Sequence, residues 1–298
     1  MQAINLNRIA FAILFIALAF TAVGCNRRVE YGPRAEASIV EEIRRTLSAP
    51  APATEAAAET ADAAPVGWAT IKGKFTVLEN VPEPAPLAQA KTDPACAKHV
   101  VVDESIVVQD GALVGAAIFA RSPKLPLNPD LAEPTGDVVL DNKNCRFEPH
   151  VFFARTGQKV LVRNSDPFGH NTKIDSVANP SQNFSLPAAA TVEHTFGKEE
   201  LQPVKIGCSI HPWMGGWAIV RGNPYGGVSD ERGSFVIEKV PAGREIEFQL
   251  WQEKAGPLDG VTINGGEVKV DGKGRFKLKL EPDQELALDI SVPADALK

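Results

Sequence analysis

Between Gly67 and the C-terminus, Gly and Pro recur so often that no apolar stripe of helical period is sustained. Alternation survives between them. Trp68 to Leu78 alternates as a strand, and Val100 to Val108 and Ala112 to Ala120 are further runs rich in small and β-branched residues. Val151 to Ala154, Lys159 to Asn164 and Thr191 to Phe196 are short strands set apart by Gly or Pro turns. Period two in Val204-Lys205-Ile206-Gly207-Cys208 puts Val204, Ile206 and Cys208 on one face. Trp217 to Val220 resumes a strand, and Ile246, Phe248 and Leu250 alternate with polar residues. Val268 and Val270 lead into Asp271-Gly272, from which Phe276, Leu278 and Leu280 return, as in a hairpin. Leu286, Leu288, Ile290 and Val292 give a last strand. Many short strands at regular spacing predict an all-β chain, an antiparallel sandwich or barrel. Chemistry then belongs in loops at the end of the scaffold.

The N-terminus differs. Arg8 precedes an unbroken apolar run from Ile9 to Phe20, short for a bilayer-spanning helix of about 20 residues. Small residues follow, and Ala22-Val23-Gly24-Cys25 resembles a bacterial lipobox, which would make Cys25 the lipidated first residue. An uncleaved signal anchor held by Arg27 and Arg28 is the alternative. Either places the rest of the chain outside the cytoplasm, where disulfides persist. Glu36 to Leu47 fits one short amphipathic helix, and Ser48 to Pro65 is an Ala/Pro-rich stretch that cannot bury a core. With 31 Lys and Arg against 37 Asp and Glu, the net charge is −6, which excludes nucleic-acid phosphates as partners.

One cluster carries chemistry. Cys208-Ser209-Ile210-His211-Pro212-Trp213-Met214 puts a thiol, an imidazole and a thioether in one loop after a strand. Soft sulfur with imidazole selects copper over hard cations. Met214 is the only methionine left once the signal is removed, so it is not one of many core fillers. Upstream, Asn164-Ser165-Asp166-Pro167-Phe168-Gly169-His170-Asn171 is another strand end carrying a His. His170 with Cys208, His211 and Met214 completes a His₂Cys set with an axial Met, the blue-copper electron-transfer arrangement.

On these residues, about Asn144 to Val220 resembles the cupredoxins, most closely the amicyanin and pseudoazurin type, whose ligand loop is also Cys-x2-His-x2-Met. Phe147-Glu148-Pro149-His150, Gly157-Gln158-Lys159-Val160 and Asn164 to Asn171 are similar to the plastocyanin-type strand pair that leads to the first copper His. Cys145 to Val151 with His211 to Met214 also resembles larger extracytoplasmic proteins of a methylamine-utilisation-like group, a label that assigns no substrate. The resemblance implies a Greek-key β-sandwich, one mononuclear type 1 copper, equatorial ligands His170, Cys208 and His211, and axial Met214. It also implies that Asn171, beside the first ligand, bridges to the loop of Ser209.

With Cys25 given to lipid and Cys208 to metal on those resemblances, Cys96 and Cys145 are left, and a disulfide between them is expected. Two buried free thiols are the alternative, and a pairing of either with Cys208 would abolish the metal site. His99 and His194 read as bland, His194 as a core residue, and His150 as a structural donor. Phe168, Pro212 and Trp213 suggest an apolar docking patch around a partly exposed His211, while Trp217, on a strand, reads as core. Such a patch would receive a redox partner, a c-type cytochrome or a dehydrogenase.

Tyr225 to Ile237 with Val240-Pro241-Ala242-Gly243 resembles a carboxypeptidase-regulatory-like sandwich without catalytic residues. The expected order is a lipoprotein signal over 1–25, a tether over 26–66, a copper domain with an N-terminal extension over 67–222, and a second small β-sandwich over 223–298. Trp68 to Leu78 fits either of the last two. No Ser-His-Asp set, phosphate-binding Gly loop or carboxylate pair with a supporting setting is found, and there is no further His cluster, so no enzyme is expected. The leading function is a lipid-anchored electron carrier. The alternatives are a copper-delivery protein without electron shuttling and a metal-free envelope module.

Overall fold

The computed structural model describes residues 64–298 apart from 80 and 123. The signal, Cys25, the helix expected over 36–47 and the tether up to residue 63 lie outside the described residues. The described chain is all-β, built as two β-sandwiches within one compact unit.

The central sandwich is continuous in sequence. One sheet runs Gln182–Leu186, His170–Asp175, Val204–Gly207, Gly215–Arg221, Val151–Arg155. The other runs Thr191–Thr195, Lys159–Asn164, Val138–Lys143, Arg146–Glu148. Leu140, Phe147, Val160, Val162, Ile174, Leu186, Phe196 and Val220 fill the space between. Alternation sets which residues face inward: Val204 and Ile206 are buried and Lys205 between them is exposed. The ladder is not purely antiparallel. Val138–Lys143 pairs parallel with Lys159–Asn164, and Gly215–Arg221 pairs parallel with Val151–Arg155. The connection between the first two passes through Val151–Arg155 in the opposite sheet, a crossover that a meander lacks.

The flanking sandwich is drawn from both sides of the central one. Trp68–Val77 pairs antiparallel with Ser234–Pro241 and parallel with Glu285–Val292. Ala117–Ala120 lies between Gly226–Val228 and Glu245–Gln252. Ile71, Phe75, Leu113, Ile118, Phe235, Phe248, Leu250 and Leu288 share one core. The sheets therefore do not divide at residues 222 and 223, because strands before the central sandwich complete the one after it.

Three local expectations differ. Val100 to Val108 is not one strand: a single bridge stands at Val102 and the strand begins at Val107, running Val107–Gln109. Ala112 to Ala120 is not one strand: Gly115, at φ 76°, turns the chain from one flanking sheet into the other. Val268 and Val270 form no hairpin with 276–280. Arg275–Lys279 instead pairs with Glu245–Gln252, where Phe276 stacks on Phe248, 5.8 Å between ring centroids. The turn itself forms, with the Asp271 amide donating to the Arg275 carbonyl at 2.8 Å, but the strand after it pairs where Phe276 is buried against Phe248.

The sandwiches meet over buried Ala117, Phe119, Val151, Ile219 and Trp251. Trp217 packs at this seam, 5.3 Å from Trp251. His150 adds a polar contact, its Nε2 against the Glu253 carboxylate and its Nδ1 3.7 Å from Glu104.

Candidate metal centre

The site starts from two strand ends. His170 opens His170–Asp175, paired with Leu186, and Cys208 directly follows Val204–Gly207. Both strands belong to one sheet and are hydrogen-bonded neighbours, Gly207 opposite Lys173, so their ends are adjacent. The loop 208–214 is tight. The Met214 amide donates to the His211 carbonyl at 2.9 Å, the Cys208 amide donates to the Met214 carbonyl at 3.3 Å, and the His211 amide donates to Cys208 Sγ at 3.4 Å. Closing the loop on itself turns His211 back towards Cys208.

Three donor atoms converge. Nδ1 of His170 is 2.9 Å from Nδ1 of His211, and Cys208 Sγ lies 4.0 and 3.8 Å from them. The residues are 1%, 4% and 5% exposed for His170, His211 and Cys208. Met214 is buried in the same cluster as Cys208. Cys208 is the free cysteine among the described residues, because Cys96 and Cys145 form a disulfide, Cα atoms 5.8 Å apart. A second grouping of Asp93, Cys96 and His211 offers no thiolate for the same reason.

Asn171 links the two loops. Its Oδ1 accepts the amides of Ser209 at 2.8 Å and Ile210 at 3.2 Å, and its Nδ2 donates to Asn183 Oδ1 at 2.6 Å and lies 3.4 Å from Ser209 Oγ. Asp166 organises the other side. Its carboxylate accepts the amides of Asn144 and Cys145 at 2.8 and 2.9 Å and meets His170 Nε2 at 2.9 Å. Asn144 and Cys145 have φ of 55° and 59°, a two-residue hairpin turn whose amides point at one anion. A proton on His170 Nε2, facing Asp166, leaves the Nδ1 lone pair free for a metal.

The electrostatics favour ligation. Burial raises the Cys208 thiol, but His170 beside it and the amides of Asn171, His211 and Ile210 outweigh that and lower its pKa. Burial lowers His170, and the Cys208 sulfur and Asp166 more than offset this, so its pKa is raised. Burial and the neighbouring His170 lower the pKa of His211. Burial raises Asp166, yet the Cys145 amide, His170 and the Asn144 amide bring it below the usual carboxylate range.

The surroundings differ from the expected docking patch. Pro212 is exposed, but Phe168 and Trp213 are half-buried and His211 is almost wholly covered. The Trp213 and Phe168 rings cover His211 directly, 5.3 and 6.0 Å away between centroids, and the N-terminal extension packs against those rings. Ala90, Cys96, Val101 and Cys145 are buried together, with Leu87, Ala95, Phe168 and Trp213 packed against them. Asp93, at the end of the short helix Ala88–Thr92, brings Oδ2 to 4.0 Å from His211 Nε2. Sequence reasoning did not single out Asp93 or this segment. Asp166 stood inside the quoted motif, and its spacing of four from His170 was the available signal. The remaining histidines do not join the site. His194 packs edge-on against Phe196 at 4.5 Å without a hydrogen bond at Nε2, so its contacts are aromatic, and His150 belongs to the seam.

No family model and no curated protein matches the chain. Among solved structures, the chain is similar to a purple cupredoxin from Nitrosopumilus maritimus, with 25% identity over 28% of this chain and 99% of that one, TM-score 0.24. It is similar to an oxidised variant of amicyanin, with 22% identity over 30% of this chain and 87% of that one, TM-score 0.26. It is also similar to a copper-containing nitrite reductase from Thermus scotoductus, with 22% identity over 49% of this chain and 28% of that one, TM-score 0.27.

Proposed function

We propose that the chain is an electron carrier that works outside the cytoplasm with one type 1 copper ion. His170 and His211 would bind through Nδ1 and Cys208 through Sγ, with Met214 as the weaker fourth ligand. The observation that carries this is the convergence of two imidazole nitrogens and one free sulfur within 4.8 Å of one another in a buried pocket. The donor set is soft and has no carboxylate in it, which suits copper and not Mg²⁺ or Ca²⁺. When bound, copper supplies a one-electron couple.

The chain's own residues do the rest. Cys208 ties the donor set to the backbone between two central strands. Asn171 fixes the ligand loop against the His170 strand, and Asp166 fixes the His170 ring. Donors held this firmly move little when the charge on the metal changes, which keeps the reorganisation accompanying electron transfer small. Burial excludes water from the thiolate. The flanking sandwich, carboxypeptidase-regulatory-like in sequence, serves as scaffold. We place the chain on a bacterial membrane through lipid on Cys25, with a c-type cytochrome or a dehydrogenase as its redox partner; the Cys96–Cys145 disulfide accords with an oxidising compartment.

The test is reconstitution of the purified chain with Cu(II), followed by visible and electron paramagnetic resonance spectra. A thiolate-to-copper band that disappears in Cys208→Ala is expected, with reversible redox cycling and no metal loss. A colourless protein would defeat the proposal.

A further inference from the structure

The histidine through which a bare copper module would meet its partner is closed here by Trp213 and Phe168 and, behind them, by the chain's own extension. His211 is 4% exposed. At its Nε2 edge lies Asp93, which ends the helix Ala88–Thr92, and a crease of about 310 Å³ between that helix and the ligand loop is lined by Gln89, Thr92, Asp93, Pro94, Pro212 and Trp213. Asp93 is held in a fixed pose. Its Oδ1 accepts the amides of Ala95 at 2.8 Å and Cys96 at 3.1 Å, which leaves Oδ2 facing His211 Nε2 at 4.0 Å. The next residue but two, Cys96, is bonded to Cys145, whose amide donates to the same Asp166 oxygen that meets His170 Nε2. The extension thus reaches both imidazoles, one through Asp93 and the other through the disulfide and Asp166. Each ring carries a carboxylate on its Nε2 side and turns Nδ1 towards Cys208.

We propose that residues 87–101 are a disulfide-pinned cap on the metal centre and that Asp93 is the positioning residue for His211. The inference rests on the copper proposal above for what the centre holds. At 4.0 Å, beyond a direct hydrogen bond, the charge of the Asp93 carboxylate favours the His211 tautomer with its proton on Nε2, and the same charge favours Cu(II) over Cu(I). The disulfide keeps the cap seated, so that solvent, chelators and thiol reagents reach Cys208 only when the cap opens.

Two measurements on the full chain test this. On the copper-loaded protein, Asp93→Asn shifts the Cu(II)/Cu(I) equilibrium towards Cu(I) by about tenfold, which raises the potential by about 59 mV for a one-electron couple. Asp93→Glu restores part of it, and the thiolate-to-copper band persists in both. An unchanged potential overturns the role of Asp93. On the metal-free protein, the rate of Cys208 alkylation by iodoacetamide is compared between wild type and Cys96→Ala/Cys145→Ala. The double variant reacts faster by on the order of tenfold, because the cap opens more often. If the double variant does not fold, the same comparison on wild type before and after phosphine reduction replaces it. Equal rates overturn the cap. The outcomes separate cleanly: a protected Cys208 in a protein that never turns blue sinks the electron-carrier proposal and leaves the cap, and a blue protein with unprotected Cys208 does the reverse.

Discussion

Asn171 neighbours one ligand, yet its side-chain oxygen serves the other loop, accepting the amides of Ser209 and Ile210. Asn171→Ala leaves those two donors without a partner, at a cost of about 1–3 kcal/mol. Denaturant unfolding of the metal-free protein should read that loss, and an unchanged midpoint would show the bridge to be idle. The grouping of His170, Cys208 and His211 was legible in the sequence because its residue types are scarce, with 5 His and 4 Cys in the chain. A thiol and an imidazole in one loop stand out against that background. Asp166 and Asp93 did not, since 37 acidic residues give a carboxylate no distinction until the fold puts it beside an imidazole.

Among the elements, the strands that alternate cleanly appear where alternation put them, as in Ile246, Phe248 and Leu250 of Glu245–Gln252, all buried. Where the sequence misled, tertiary packing had overruled a local signal. The Asp271-Gly272 turn forms, but the strand after it pairs away from Val268 and Val270 so that Phe276 stacks on Phe248, and the cap residues 87–101 carry no period because they pack on another element's loop. A long connection is held by one side chain: the buried Glu200 carboxylate accepts the amides of Val177, Ala178 and Asn179 and the Asn179 side chain. Burial raises its pKa, but the Ala178 amide, the Asn179 side chain and the Asn179 and Val177 amides outweigh this and lower it. A lowered carboxylate contributes stability that is present above its unfolded value, about 4.3, and is lost as pH falls through the folded value. Glu200→Gln should cost about 1–3 kcal/mol at neutral pH. It should also flatten the fall in thermal midpoint below about pH 4.3, which scanning calorimetry would follow. A parallel fall in variant and wild type would remove Glu200 as the cause.

Across the whole molecule, the seam between the sandwiches joins Trp217 to Trp251 and His150 to Glu253. Nothing in the sequence marked these as partners, because each lies on a different module and pairs only through the packing of both. Burial lowers the His150 imidazole, while the hydrogen bond and charge of Glu253, with Glu104, more than compensate, so its pKa is raised. Its stabilisation is therefore complete below the unfolded value of about 6.5 and lost as pH rises through the folded value. Between pH 6 and 8.5 the thermal midpoint of wild type should fall more than that of His150→Gln. At about pH 6 the variant should be less stable by about 1–3 kcal/mol. Identical pH profiles would show that the pair contributes nothing to the seam. Mechanical consequences follow from the first and last long strands, Trp68–Val77 and Glu285–Val292, which lie side by side and parallel, from Thr70 beside Glu285 to Val77 beside Val292. A pull between the start of the first strand and the end of the last therefore runs along this ladder in shear, so its rungs share the strain together and do not peel away singly. A load applied at residues 70 and 292 would meet its resistance in the ladder that joins these two strands.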